Sequence, residues 1–117
     1  MFELNATLTV YLHRDPVDFR KSVNGLVAIV EQALGLDPFA QACFVFGNQR
    51  RDKVKLLAWQ KNGFWLCYKR LEADRFVWPR GDDAVVTLSV EQLHWLLDGI
   101  DLAALRGHHS RVFRRAS

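Results

Sequence analysis

Apolar positions in this chain change period along its length, and the changes mark out its elements. From Leu4 to Leu12 apolar and polar residues partly alternate, and Thr, Val, Tyr and Leu dominate, which predicts a first strand. From Asp15-Pro16 the period becomes helical. Asp15 can cap free amides, Pro16 suits a first helical position, and Asp18 favours the positive end of the helix dipole. Phe19, Val23, Leu26, Val27, Val30 and Leu34 then follow at spacings of three and four, one buried stripe that Gly35 is placed to stop. Asp18, Arg20 and Lys21 cannot share the Phe19/Val23 face and should point outward.

Alternation returns at Ala42–Phe46, a short apolar run broken by Gly47-Asn48. The charged connection Gln49-Arg50-Arg51-Asp52 follows. Lys53–Gln60 and Phe64–Leu71 are two strand-like runs around Lys61-Asn62-Gly63, and Asn-Gly is a strong hairpin signal because both residues tolerate positive φ. A two-residue loop sets Trp59 opposite Leu66, and a four-residue loop sets it opposite Phe64. In both cases one face carries Lys55, Leu57, Trp59, Phe64, Leu66, Tyr68 and Arg70, and the other Val54, Leu56, Ala58, Trp65, Cys67, Lys69 and Leu71. Only a three-residue bulged loop breaks that division. Since both faces are largely apolar, the hairpin is expected at the centre of its sheet. Arg75–Trp78 and Ala84–Leu88 read as two further short strands. Ser89 and Gln92 have capping-box spacing before the helical series Val90, Leu93, Leu96, Leu97 and Ile100, with Gly99 at its end and one more turn over Leu102–Leu105. The expected fold is α+β: a mostly antiparallel sheet of about five strands with two helices packed against it. It occupies residues 1–105 as one domain, and 106–117 form a basic tail without periodicity, expected to be mobile.

Charge sharpens this picture. The chain has 117 residues and a net charge of +3, yet Phe44–Arg80 alone holds nine Lys or Arg against three acids. The same stretch up to Pro79 contains eight of the fourteen aromatic residues. A stretch both basic and aromatic suits a hydrophobic core, a phosphate-binding surface, or both. Its cations would neutralise phosphates and release counterions, and exposed aromatics would stack on unpaired bases. The same surface suits an acidic protein patch, for which Trp and Arg are common anchors. The residues proposed to contact DNA or a partner are Arg20 and Lys21 at the helix start, Arg50, Arg51 and Lys53 in the connection, and Lys69, Arg70 and Arg75 after the hairpin.

Candidate catalytic chemistry is sparse. The histidines are His13, His94 and the adjacent pair His108-His109, and Cys43 and Cys67 lie apart in apolar runs, which suits inert core thiols rather than metal ligands. The glycines occur singly, so no phosphate-cradling loop is present. Asp15, Asp18, Asp52 and Glu72 are the acids that a two-metal nuclease would have to bring together, and their spacing does not require it. No catalytic residue, metal or cofactor is expected. With no basic n-region at the N-terminus and no apolar run long enough to span a bilayer, a cytoplasmic protein with no membrane partner is expected.

The ordered motif series points to a family. D-F-R-K-S-V-N-G-L (Asp18 to Leu26), F-x-F-x-N-x-R-R-D (Phe44 to Asp52), K-x-L-x-W (Lys55 to Trp59), G-F-x-L-x-Y-K-R-L-E (Gly63 to Glu72), R-F-x-W-P (Arg75 to Pro79) and Q-L-x-W-L-L-x-G-I (Gln92 to Ile100) occur in this order. Together, over roughly residues 8 to 102, they resemble the small accessory protein (second open reading frame, TnpB-type) of the bacterial insertion sequence sixty-six family. The resemblance implies a role in DNA transposition beside a separate transposase that carries the catalytic acids. It assigns no site residues. Three readings follow: an accessory factor binding DNA or the transposase complex, a protein adaptor that never touches DNA, and, behind both, a metal-dependent nuclease. Oligomeric state is left open.

Overall fold

The computed structural model describes residues 4–5 and 7–105, so the expected mobile tail at 106–117 lies outside the described residues. Five strands form one sheet: β1 (Thr9–His13), β2 (Ala42–Gly47), β3 (Lys53–Gln60), β4 (Gly63–Arg70) and β5 (Val85–Leu88). Their order is β4-β3-β2-β1-β5. All neighbours are antiparallel except β1 and β2, which run parallel. A parallel pair needs a crossover, and residues 14–41 supply it, with α1 (Val23–Ala28) running into a π-helical turn at Ile29–Ala33. The helix α2 (Val90–Leu97) follows β5. This is the expected α+β fold, with the helices on opposite faces of the sheet.

Strand parity divides the core in two. On one face Leu26 and Val30 pack with Ala42, Phe44, Phe46 and Leu57. On the other, Leu93 and Leu96 of α2 join Val10, Leu12, Cys43, Val45, Val54 and Leu56. β2 is buried along its whole length because both faces are covered. The capping box forms as expected: the Gln92 amide donates to Ser89 Oγ at 3.0 Å, and the Ser89 amide to Gln92 Oε1 at 2.9 Å. The helix closes with the Gly99 amide on the Leu96 carbonyl and the Ile100 amide on the Trp95 carbonyl. That paired closure requires the left-handed backbone Gly99 adopts, at φ 83°.

Five expectations are corrected. The first helix starts at Val23, not at Asp15-Pro16. The Val17 amide is taken by the Gly47 carbonyl at 2.9 Å, and Lys55 Nζ donates to the carbonyls of Phe19 and Lys21, each at 2.8 Å. The Val17 amide, which the Asp15 side chain would have capped, is held by β2, and the Phe19 and Lys21 carbonyls, which a helix would pair internally, are held by β3, so local capping signals lose to tertiary bonds. Asp18 makes a tight turn with its carboxylate on the Arg20 amide rather than compensating a dipole.

Arg75–Trp78 is not a strand. Phe76 and Trp78 are nonetheless 2% and 5% exposed, packed under the sheet on the α2 side. Trp78 Nε1 donates to the Arg14 carbonyl at 2.9 Å. Alternating burial mimicked a strand where the chain only drops two aromatic rings into the core. Trp78 also explains Gly47, since a Cβ there would lie 2.9 Å from the indole ring.

The hairpin is not central: β3 is interior, but β4 is an edge strand. Its register sets Trp59 opposite Phe64 and Gln60 opposite Gly63, so the two faces are those expected. Positive φ falls on Lys61, at 57°, and not on the Asn-Gly pair. Gly63 belongs to the strand.

A candidate basic surface at one end of the sheet

The surface is organised by two local devices. The first is the turn between β2 and β3. Asn48 Oδ1 accepts from the amides of Asp52 and Lys53, each at 3.1 Å, while Asn48 Nδ2 donates to Asp52 Oδ1 at 2.7 Å. That bond holds the Asp52 carboxyl below its ordinary range. The turn is closed by the Arg51 amide on the Asn48 carbonyl, with Arg51 itself at φ 61°. Arg50 and Arg51 are thereby displayed on the outside. The next segment is tied on behind them: the Leu71 amide donates to the Asp52 carbonyl and the Phe76 amide to the Arg51 carbonyl. Arg75 therefore enters the same end of the molecule.

The second device is Lys55. Its ammonium sits 4.9 Å from the centre of the Phe19 ring and donates to the two carbonyls named above. A cation held over an aromatic face and on two carbonyl dipoles is a fixed anchor. Burial pushes its pKa below the ordinary value, and Asp18 pulls it back. This anchor brings the segment carrying Arg20 and Lys21 onto the strand pair in which Lys53 lies opposite Arg70 and Lys55 opposite Tyr68. Tyr68 is 53% exposed and its ring lies 6.3 Å from that of Phe19.

Seven of the eight expected residues are gathered in this way: Arg20, Lys21, Arg50, Arg51, Lys53, Arg70 and Arg75. Arg20 and Lys21 occupy a loop before the helix rather than its first turn. Lys69 is the exception. Strand parity turns it to the other face, where Nζ donates to the Leu97 carbonyl at 2.7 Å, at the C-terminal end of α2.

Not all of the cations are uncommitted. Arg20 is paired with Asp18 at 2.6 Å and Arg70 with Glu72 at 2.7 Å. The Arg20 guanidinium holds the Asp18 carboxyl down at about 2. Among the described residues, Lys21, Arg50, Arg51, Lys53 and Arg75 form no ion pair with a carboxylate. The hairpin aromatics divide likewise. Trp59 and Phe64 pack with Phe39 in a cluster with ring centres 5.0–5.5 Å apart, at the turn end, while Tyr68 and Phe19 stand at the basic end.

Sequence reasoning left Asn48 and Lys55 out of the expected contact residues; they position the surface without lying on it as free charges. Asn48 stands in an F-x-F-x-N-x-R-R-D motif with its bonding partner Asp52 four residues on, a spacing that could have shown it. Lys55 carried a signal only as a cation within an apolar alternation.

Among the described residues no group of three His, Cys, Asp or Glu is arranged to hold a metal ion. No helix among them is long and apolar enough to cross a membrane. The fold and its surface define a small α+β domain with a mixed five-stranded sheet and a basic end. Residues 8–107 match the family described as IS66 Orf2 like protein, and the chain belongs to that family, whose members are accessory proteins of the insertion sequence. It is similar to two proteins of Sinorhizobium fredii. Uncharacterized protein y4jC is 37% identical over 94 residues, which cover 80% of each chain. Uncharacterized protein y4hO is 31% identical over 101 residues, which cover 86% of this chain and 88% of the relative. No solved structure matches.

Proposed function

We propose that the protein is a non-catalytic accessory factor in transposition, acting in the cytoplasm on DNA beside the transposase of its element. The observation that carries this reading is the set of five cations without carboxylate partners, Lys21, Arg50, Arg51, Lys53 and Arg75, gathered at one end of the sheet next to exposed Tyr68. Lys53 is half-buried and the other four are exposed. Such an arrangement neutralises phosphates with little sequence preference. Its supports are neutral to ligand identity: Asn48 and Lys55 are consumed in holding backbone, so the outward cations are positioned without being quenched.

Fluorescence anisotropy with labelled duplex and single-stranded DNA, carrying element ends or scrambled sequence, tests it. If about four phosphates are engaged, affinity falls roughly a hundredfold between about 50 and 200 mM salt. Joint Arg50→Ala and Arg51→Ala replacement weakens binding at unchanged melting temperature. A large fall in melting temperature makes the two arginines structural, and absence of binding at low salt removes the DNA reading. The adaptor reading has its own support in the acids Asp18, Asp52 and Glu72, which interleave the cations and would repel phosphate. Co-purification with the transposase without retention on DNA selects it.

A further inference from the structure

The outer edge of β4 supports an inference independent of what the basic surface binds. Two backbone observations decide which β4 groups face outward. The tight hairpin closes on the Gln60–Gly63 pair, and the Leu71 amide bonds the Asp52 carbonyl, which continues the same ladder. Odd-numbered residues of β4 therefore bond β3, and the amides and carbonyls of Phe64, Leu66, Tyr68 and Arg70 point away from the sheet. Among the described residues, none of these four has an outward backbone bond to another segment. An eight-residue edge, GFWLCYKR, has no proline or bulge and carries charge, the other usual protection against strand pairing, only at its last two residues, Lys69 and Arg70.

The residue order of β4 is complementary to itself. A two-fold axis perpendicular to the sheet and passing through Cys67 aligns two copies antiparallel with both faces continuous. Leu66 then lies opposite the second copy's Tyr68, Trp65 opposite its Lys69, and Phe64 opposite its Arg70. Each cation meets an aromatic ring and not another cation, and each such pair occurs twice by symmetry. Trp65 is 38% exposed and Tyr68 more so, while Lys69 is already fixed along its face by its bond to the Leu97 carbonyl. Centring on Leu66 instead would leave Arg70 opposite the turn residue Asn62 and Lys69 opposite Gly63, which have no ring to offer. The geometry points to a homodimer in which the two β4 strands pair antiparallel about Cys67, making one ten-stranded sheet.

Sedimentation or light scattering across a concentration series reads the mass, expected to approach twice 13.5 kDa. A short bis-maleimide links the two copies through Cys67, and Cys67→Ala abolishes the link. Trp65→Lys sets like charges directly opposite at both ends of the interface and raises the dissociation constant at least about tenfold. Trp65→Glu, which sets an acid opposite Lys69, dimerises more tightly than Trp65→Lys. Circular dichroism confirms that both variants are folded. A wild-type protein monomeric throughout the series overturns the proposal. So does equal weakening by Lys and Glu at position 65, or a link that survives Cys67→Ala.

Discussion

Replacing Lys55 with Met tests how a single buried-edge cation organises the basic surface. Methionine keeps the aliphatic stem within the alternating face of β3 but removes the ammonium, and with it two bonds of 2.8 Å to the Phe19 and Lys21 carbonyls and the contact with the Phe19 ring. A hydrogen bond to a charged group contributes about 1.5–3 kcal/mol in a protein interior. Lys55 is only half-buried. Solvent screens part of each bond, and the freed carbonyls regain water, so about 1 kcal/mol for each bond is the reasonable figure. The burial cost of the charge, which lowers the Lys55 pKa, is recovered on substitution and offsets some of the loss. The net expectation is a destabilisation of about 1–2 kcal/mol, or a fall in melting temperature of roughly 4–8 °C for a domain of this size. Urea unfolding followed by tryptophan fluorescence gives the free energy. Amide exchange gives the location: residues 17–22 should lose protection while β2 and β3 keep theirs. An unchanged midpoint, or loss of protection spread evenly over the sheet, would refute the anchoring role. Binding through the basic surface should weaken by more than removal of one exposed charge, because Arg20 and Lys21 lose their placement.

Three further outcomes follow from particular contacts. Gly47→Ala drives a methyl against the Trp78 ring at 2.9 Å in a fully buried strand, and should destabilise by about 1–3 kcal/mol by denaturant unfolding, with a change in the Trp78 environment. Lys61→Gly relieves a lysine from φ 57° in the hairpin turn and should raise stability by up to about 1 kcal/mol, measured in the same way. The Cys43 thiol is pushed up to about 12 by burial, with Cys67 adding to the shift, from an ordinary 9.0. The unfolded chain then loses that proton first, so the contribution of Cys43 to stability is whole below pH 9 and falls as pH rises towards about 12. Cys43→Ala should flatten that alkaline decline, and Cys43 should resist thiol reagents until the protein unfolds.

The chemistry of short stretches settled much of this protein directly. The alternation in β3 and β4 assigned every side chain of the hairpin to its face, because a period of two leaves only two registers of parity. Ser89, Gln92 and Gly99 bounded α2, since capping and left-handed closure are satisfied within a few residues. The spacing of Val23, Leu26, Val27 and Val30 marked the stripe of α1 and the π-helical turn after it. The cations of the basic surface were also visible as a group, because they are concentrated in a few turns.

Tertiary structure decided what depends on partners distant in the chain. Asp15-Pro16 had every local sign of a helix start, yet Gly47 and Lys55 take the backbone groups between Val17 and Lys21, and the helix waits for Val23. Phe76 and Trp78 alternate like a strand, but their segment is tied to the β2–β3 turn by the Phe76 amide on the Arg51 carbonyl and serves the core with its rings, without joining an edge of the sheet. Both hairpin faces are apolar, which argued for a central position; β4 is an edge all the same, none of its residues is fully buried, and its faces meet only single contacts such as Phe64 on Phe39 and Lys69 on the end of α2. Lys69 and Arg70 are neighbours of equal charge in sequence. Strand parity sends one to the end of α2 and the other to the basic surface, and only the fold gives those two faces different surroundings.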